Sequence, residues 1–228
     1  MRDSIEGVAF DLDGTLYPNY RLHYKLIPFL FKELRLLSAF GKTREILRKE
    51  QESLSRPPEG DFYQRQAAIV AGILSSSPEI IWEKIDRLIY KGWEPLFMKV
   101  KPYRGVKETI TALRGAGYKI GLMSDFPPEI KLEHMGIRGL FDTALSSEWC
   151  GLVKPHPLPF MELASAMGLP PERIIYVGNS YPYDIVGANR AGMKTAWIKS
   201  PLFSAGRRKP APDFTFYDYR QLRNFMLN

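Results

Sequence analysis

The chain holds one cysteine in 228 residues, Cys150. An internal disulfide is therefore excluded, and the usage fits a reducing compartment. No His–Asn arrangement near Cys150 supports a nucleophilic role, so it is expected to be a plain buried or half-buried thiol. Histidine is nearly as scarce. His23, His134 and His156 show no metal-ligand spacing, and they are expected to be structural or exposed. No apolar run reaches the length of a membrane span, and the N-terminus shows no basic-then-apolar signal pattern. The expectation is a cytoplasmic protein with no membrane partner. Internal repeats and low-complexity tracts are also missing.

What is present is an ordinary globular composition, 45% hydrophobic and 25% charged, enough for an ample core. The length allows one large domain or two modest ones. The net charge of +7 invites a nucleic-acid reading. The excess is spread, however: residues 18–97 carry +3 and the remainder +4. The densest run, Arg207-Arg208-Lys209, lies in a loop flanked by Pro and Gly. No nucleic-acid partner is expected, and a dispersed positive surface suits a small anionic substrate. Nothing in the pattern specifies an oligomeric state.

The stretch Val8 to Phe10 reads as a buried strand that stops on Asp11, with Asp13, Gly14 and Thr15 forming the turn beyond it. A carboxylate at the carboxyl end of such a strand stands where open α/β sheets bind ligands. The plainer reading is a solvated turn, since Asp and Gly are common turn residues. From residue 20 to 97 the period changes to that of helices. Leu22, Leu26 and Leu30 recur at four, and Ile81, Ile85, Leu88 and Ile89 fall on one face. Gly41, Arg56-Pro57-Pro58 and Ser75-Ser76-Ser77-Pro78 divide the segment into about four helices. No strand is required there, so it reads as an inserted all-helical module.

From Lys101 strands and helices alternate. Strands are expected at Tyr118–Met123, Thr143–Leu145, Arg173–Val177 and Lys194–Ile198, with an edge strand near Phe214–Phe216. Helices are expected at Gly105–Leu113, Pro127–Met135, Pro157–Met167 and Tyr183–Ala191, and from Tyr219. That alternation means an α/β fold, a doubly wound parallel sheet covered on both faces. The sheet would bring several strand ends to one edge. They carry Asp11 and Asp13; Ser124 and Asp125; and Gly178, Asn179 and Ser180, with Asp184 opening the next helix. Lys154 lies between the last two groups in sequence. Carboxylates crowded there at about 4 Å would repel by on the order of 4 kcal/mol per pair at an effective dielectric of about 20. A cation among them relieves this, and oxygen donors without a Cys or His cluster favour Mg²⁺ over Zn²⁺.

Four motifs, in order and spacing, resemble the haloacid-dehalogenase-like hydrolase superfamily, most of whose members are phosphatases. They are Asp11-Leu12-Asp13-Gly14-Thr15-Leu16, Ser124 at a strand end, Lys154 before a proline, and Gly178-Asn179-Ser180 with Asp184. The resemblance implies a Rossmann-like catalytic core at residues 1–16 and 98–228, with an alpha-helical cap at 17–97. It implies that Asp11 attacks phosphorus, forming an aspartyl phosphate, and that Asp13 protonates the leaving oxygen and later takes a proton from water. Ser124, Lys154 and backbone N–H groups near Gly14 and Asp125 would hold the phosphoryl group. Mg²⁺ would sit on Asp11, the Asp13 carbonyl, Asp184 and Asn179. Simpler readings are a helix cap for Ser124, a surface lysine for Lys154 and a helix N-terminal acid for Asp184.

The fourth motif departs from the family, where an acid normally stands at the place of Asn179. A carboxamide offers an oxygen but no charge, which puts metal affinity in question. His156 likewise stands where an acid is common. The expected function is a Mg²⁺-dependent phosphomonoester hydrolase acting on a small phosphorylated substrate. The alternatives are a sugar-phosphate mutase sharing the intermediate and a catalytically silent interaction module marked by Asn179. A dehalogenase is disfavoured, because halide loss needs no leaving-group proton and family dehalogenases lack the acid at Asp13. The cap should set specificity by closing over the crevice. Its candidates are Tyr17, Tyr20, Tyr24, Phe62, Tyr63, Arg21, Lys25 and Arg65.

Overall fold

The computed structural model describes residues 4–92, 100–199 and 208–228, and only the backbone of 19–32. Six parallel strands form one sheet in the order β3-β2-β1-β4-β5-β6. They are β1 Gly7–Phe10, β2 Lys119–Ser124, β3 Thr143–Ser146, β4 Ile174–Gly178, β5 Lys194–Ile198 and β6 Phe214–Phe216. The chain moves from β1 outward to β2 and β3, then returns to β4 on the other side of β1. The strand order thus reverses between β1 and β4, the switch point at which such sheets bind ligands.

Alternation along the buried strands decides the two faces. Val8 and Phe10 point into one apolar layer with Ile120, Leu122, Ile175 and Val177, and Ala9, Met123 and Tyr176 point into the other. Helices α4 (Val106–Gly115) and α8 (Tyr219–Leu227) cover the first. Helices α6 (Pro157–Met167) and α7 (Val186–Arg190) cover the second. α5 (Glu129–His134) follows β2 and is shorter than Pro127–Met135: Pro128, whose carbonyl accepts from the Leu132 N–H, is its N-cap, and Met135 is its C-cap. The expected helix at Tyr183–Ala191 is split: Tyr181–Ile185 is a π turn that runs into α7.

Between β1 and β2 lies the helical region: α1 (Asn19–Glu50), α2 (Phe62–Leu74), α3 (Pro78–Ile85) and a π turn at Asp86–Tyr90. Leu36, Phe40, Val70, Ile81, Ile85 and Ile89 make its own apolar core. The serine run does separate two helices. Ser75 takes the left-handed conformation after α2, and the Ser77 hydroxyl caps α3. Gly41 does not divide anything. It sits inside α1, exposed, with the buried Ala39 and Phe40 beside it holding the turn; one exposed glycine costs a helix only about 1 kcal/mol. The break in α1 falls at Glu33 instead, whose backbone leaves helical values. Leu22, Leu26 and Leu30, and the expected domain boundary at 97/98, lie outside the described residues and side chains. Among the described residues no helix is long and apolar enough to cross a membrane.

Candidate active site

The site is assembled at the carboxyl edge of the sheet, around the switch point. Asp11 follows β1 directly and is buried. The turn after it closes through Thr15 and Leu16 N–H groups donating to the Leu12 carbonyl. Gly14 occupies φ +89°, a conformation that L side chains rarely adopt. The turn brings Thr15 back, so that its hydroxyl donates to Asp11 Oδ2 at 2.6 Å. Asn179, just beyond β4, places its carboxamide oxygen 3.1 Å from the same hydroxyl. Asp184 reaches the site from the π turn, where the Ser180 N–H donates to it at 2.9 Å. Gly178 makes that approach feasible: a Cβ there would lie 2.3 Å from Asp184 Cβ.

Lys154 ties the carboxylates together. Its Nζ lies 2.7 Å from Asp11 Oδ1 and 2.7 Å from Asp184 Oδ1, and 3.5 Å from the Tyr176 hydroxyl. It is 4% exposed, so the surface-lysine reading is set aside. Burial alone would lower the Lys154 pKa, but Asp11 and Asp184 outweigh it and hold the ammonium well above the usual range. Burial, followed by repulsion from Asp184, pushes the Asp11 carboxyl up to about 7 against the pull of Lys154 and Thr15. One ammonium between two carboxylates is too little charge to keep both comfortably ionised.

A second set of contacts surrounds Asp13. Lys131 of α5 donates to both carboxylate oxygens, at 2.7 and 2.9 Å, and the Tyr17 hydroxyl donates to Oδ1. Ser124 Oγ lies 3.2 Å from Oδ2 and also accepts from the Phe126 N–H. Ser124 therefore supports a tight turn beside Asp13; it does not cap α5, which has no side-chain cap. Burial would raise the Asp13 pKa, but Lys131 outweighs it and holds the carboxyl below the ordinary value.

Asp125 is turned away from this cluster. Its Oδ1 accepts from Ser147 and its Oδ2 from Arg48 at 2.9 Å. Burial is outweighed by Lys154, Arg44 and Arg48, leaving its carboxyl at about 2. Its side chain thus anchors the helical region to the sheet edge, and any phosphoryl contact falls to its backbone. Arg48 also donates to the Lys154 carbonyl at 3.0 Å and stacks 4.2 Å from the Tyr183 ring centroid. Gln51 exchanges two hydrogen bonds with Val153, so the end of α1 grips the segment that carries Lys154. Deeper in the junction, Arg44 pairs with Glu148, which also accepts from Tyr90. His156 is structural: Nδ1 accepts from the Leu158 N–H and caps α6, while Nε2 meets the Leu54 carbonyl.

Of the residues expected at the site, Asp11, Asp184 and Lys154 form one hydrogen-bonded cluster that Asn179 joins through Thr15, and Asp13 and Ser124 meet each other. Cys150 is half-buried and burial pushes its thiol up to about 11, in keeping with a plain thiol. Among the cap candidates, Tyr17 touches Asp13, whereas Phe62 packs with Leu47 and Val153, Tyr63 packs against Phe62 and Trp82, and Arg65 donates to the Gly151 carbonyl. The side chains of Tyr20, Arg21, Tyr24 and Lys25 are outside those described. Lys131, Thr15 and the pair Arg44–Glu148 were not anticipated. Thr15 had a signal, since it lies four residues after Asp11 across a turn. The others are joined only by the tertiary fold.

A buried carboxylate–lysine centre at the switch point of a doubly wound sheet, with a helical region between β1 and β2, defines a class of α/β hydrolytic enzymes. The family model described as haloacid dehalogenase-like hydrolase matches residues 8–198, and the chain belongs to that family. It is 30% identical over 203 residues to glyceraldehyde 3-phosphate phosphatase of Methanopyrus kandleri, covering 86% of this chain and 84% of the relative. It is also 30% identical to haloacetate dehalogenase H-2 of Moraxella sp., covering 92% and 93%. The fold is similar to that of the HAD-hydrolase YfnB of Bacillus subtilis, solved bound to magnesium, with a TM-score of 0.65, 16% identity and coverage of 97% and 98%.

Proposed function

We propose that the chain is a Mg²⁺-dependent phosphomonoester hydrolase working through an aspartyl phosphate on a small phosphorylated metabolite. The observation that carries this reading is the place of Asp13. Its carboxyl lies beside Ser124, two residues from Asp11, which sets an acid group next to the nucleophile. Departure of halide would need no such acid, while an alkoxide does. The curated relative that acts on a phosphate ester, glyceraldehyde 3-phosphate phosphatase, points the same way.

The donor chemistry fits a hard divalent cation. Burial, and behind it repulsion from Asp184, raises the Asp11 carboxyl to about 7, and the neighbouring Asn179 offers a further oxygen. Among the described residues no group of three or more His, Cys, Asp or Glu is arranged to hold a metal ion by itself. Two carboxylates and a carboxamide suit Mg²⁺, which binds through one or two carboxylates and keeps several waters. Asp11, Asp184, Asn179 and the Asp13 carbonyl would hold it, and its charge would screen the nucleophile from the anionic phosphoryl group.

Asp11 then attacks phosphorus while the bond to the leaving oxygen breaks. Asp13 supplies the proton to that oxygen. In the second half Asp13 takes a proton from water as its oxygen attacks the acyl phosphate, releasing inorganic phosphate and restoring Asp11. Lys154 offsets charge on Asp11, and Ser124 donates to a phosphoryl oxygen. Residues 17–97 serve as the cap that excludes bulk water. The test is turnover of p-nitrophenyl phosphate and a panel of phosphorylated metabolites, with and without Mg²⁺. Wild type should release phosphate only with the metal, and Asp11→Asn should release none. Absence of turnover across the panel would overturn the reading.

A further inference from the structure

Asp13 is fully subscribed. A carboxylate offers about four acceptor positions, and four donated hydrogen bonds fill them: two from Lys131, one from Tyr17 and one from Ser124. In that state the carboxylate has no position left for a proton and no oxygen turned to a leaving group. Something has to let go before Asp13 can act. Tyr17 is fixed in the core, buried four residues along the same turn. Ser124 and Lys131 are the partners that reach Asp13 from other segments, and both meet its Oδ2. Lys131 is 7% exposed, and its ammonium lies 5.6 Å from the Phe126 ring centroid, within the turn that follows β2. The other cations near the site are committed elsewhere: Lys154 to Asp11 and Asp184, and Arg44 and Arg48 to Glu148 and Asp125.

Building on the phosphatase reading, we propose that Lys131 is a second lysine of the phosphoryl site. It is held on Asp13 in the free enzyme and passes, together with Ser124, to the oxygens of an incoming phosphate ester. The exchange empties Asp13 Oδ2, which then takes up a proton from water and gives it to the leaving oxygen. The acid is thereby engaged by substrate and stays occupied without it. A phosphoryl dianion can draw an ammonium from a carboxylate because it carries more charge and three acceptor oxygens.

The experiment measures inorganic phosphate binding calorimetrically at saturating Mg²⁺, with the full chain as wild type, Lys131→Met, Lys131→Arg, Asp13→Asn and the double variant Asp13→Asn/Lys131→Met. Loss of a charge-assisted contact predicts a Kd weaker by about tenfold or more in Lys131→Met, with Lys131→Arg within about threefold of wild type. Asp13→Asn should bind phosphate more tightly than wild type, since Lys131 no longer has a competing carboxylate. That gain should vanish in the double variant, as a double-mutant cycle requires of two coupled residues. If Lys131→Met does not fold, the comparison of Asp13→Asn with the double variant, in which both positions are neutral, still decides. Wild-type affinity in Lys131→Met, or a gain in Asp13→Asn that survives loss of Lys131, would overturn the role of Lys131 alone. No phosphate binding by the wild type would overturn the phosphatase reading along with it.

Discussion

Asp11 and Asp184 share a single ammonium, that of Lys154, which stands 2.7 Å from an oxygen of each. All three groups are buried. Removing the cation leaves two like charges in low dielectric, so Lys154→Met should lose roughly 3–5 kcal/mol of stability in the absence of metal. Turnover should fall by about 10²-fold or more. Because Mg²⁺ would neutralise the same pair, it should raise the stability of the variant by more than it raises that of wild type. Urea unfolding with and without Mg²⁺ checks this. An equal gain in both proteins would mean that lysine and metal act on different charges.

Gly178 and Asp184 give a steric prediction. A methyl group at position 178 would overlap Asp184 Cβ, Cγ and Oδ2, at 2.3 to 2.6 Å. Gly178→Ala should therefore displace the Asp184 carboxylate, destabilise the protein by about 1–3 kcal/mol and abolish Mg²⁺-dependent turnover. Thermal melts and a Mg²⁺ titration of activity measure the two effects. Retained metal dependence would remove Asp184 from the metal site.

The skeleton of this arrangement was legible in the sequence because it is local. Val8 to Phe10 ending on Asp11, and Ile174 to Gly178 ending before Asn179, are apolar strands whose polar punctuation marks the sheet edge. The alternation of strands and helices after Lys101 then dictates that those edges meet. What was not legible depends on contacts between distant segments. Lys131 looks like any helix lysine until α5 folds back over Asp13. Arg44 and Glu148 are 104 residues apart. Gly41 misled because a breaker in an exposed turn yields to the packing of its neighbours, and the π turn at Tyr181–Ile185 has no periodic signature of its own.

The junction between the helical region and the sheet edge should carry a pH dependence. Burial pushes the Glu148 carboxyl up to about 7, against the opposing pull of Arg44. The native state thus keeps a proton that the unfolded chain releases from about pH 4.5 upward. This group's contribution to stability is complete below that value and is lost as pH rises through about 7, by on the order of 3 kcal/mol. Wild-type stability should decline over that window, and Glu148→Gln should show a flatter profile. The difference between the two profiles isolates Glu148 from Asp11, which shifts in the same direction. Identical slopes would contradict the assignment.

Asn179 predicts a metal phenotype readable without turnover. A neutral carboxamide in place of a carboxylate should leave Mg²⁺ affinity modest. Asn179→Asp should tighten the Kd for Mg²⁺ by about tenfold, measured calorimetrically with the metal alone. An unchanged Kd would place Asn179 outside the metal shell, with only its contact to Thr15 to explain it.

The covalent step on Asp11 is tested most directly by a crystal structure of the wild type grown with Mg²⁺ and beryllium trifluoride, which mimics a phosphoryl group bonded to a carboxylate. The account predicts beryllium bonded to an Asp11 oxygen, with the metal between Asp11 and Asp184 and Lys154 against the fluorines. Beryllium trifluoride bound elsewhere, or an unmodified Asp11 beside a filled metal site, would contradict it.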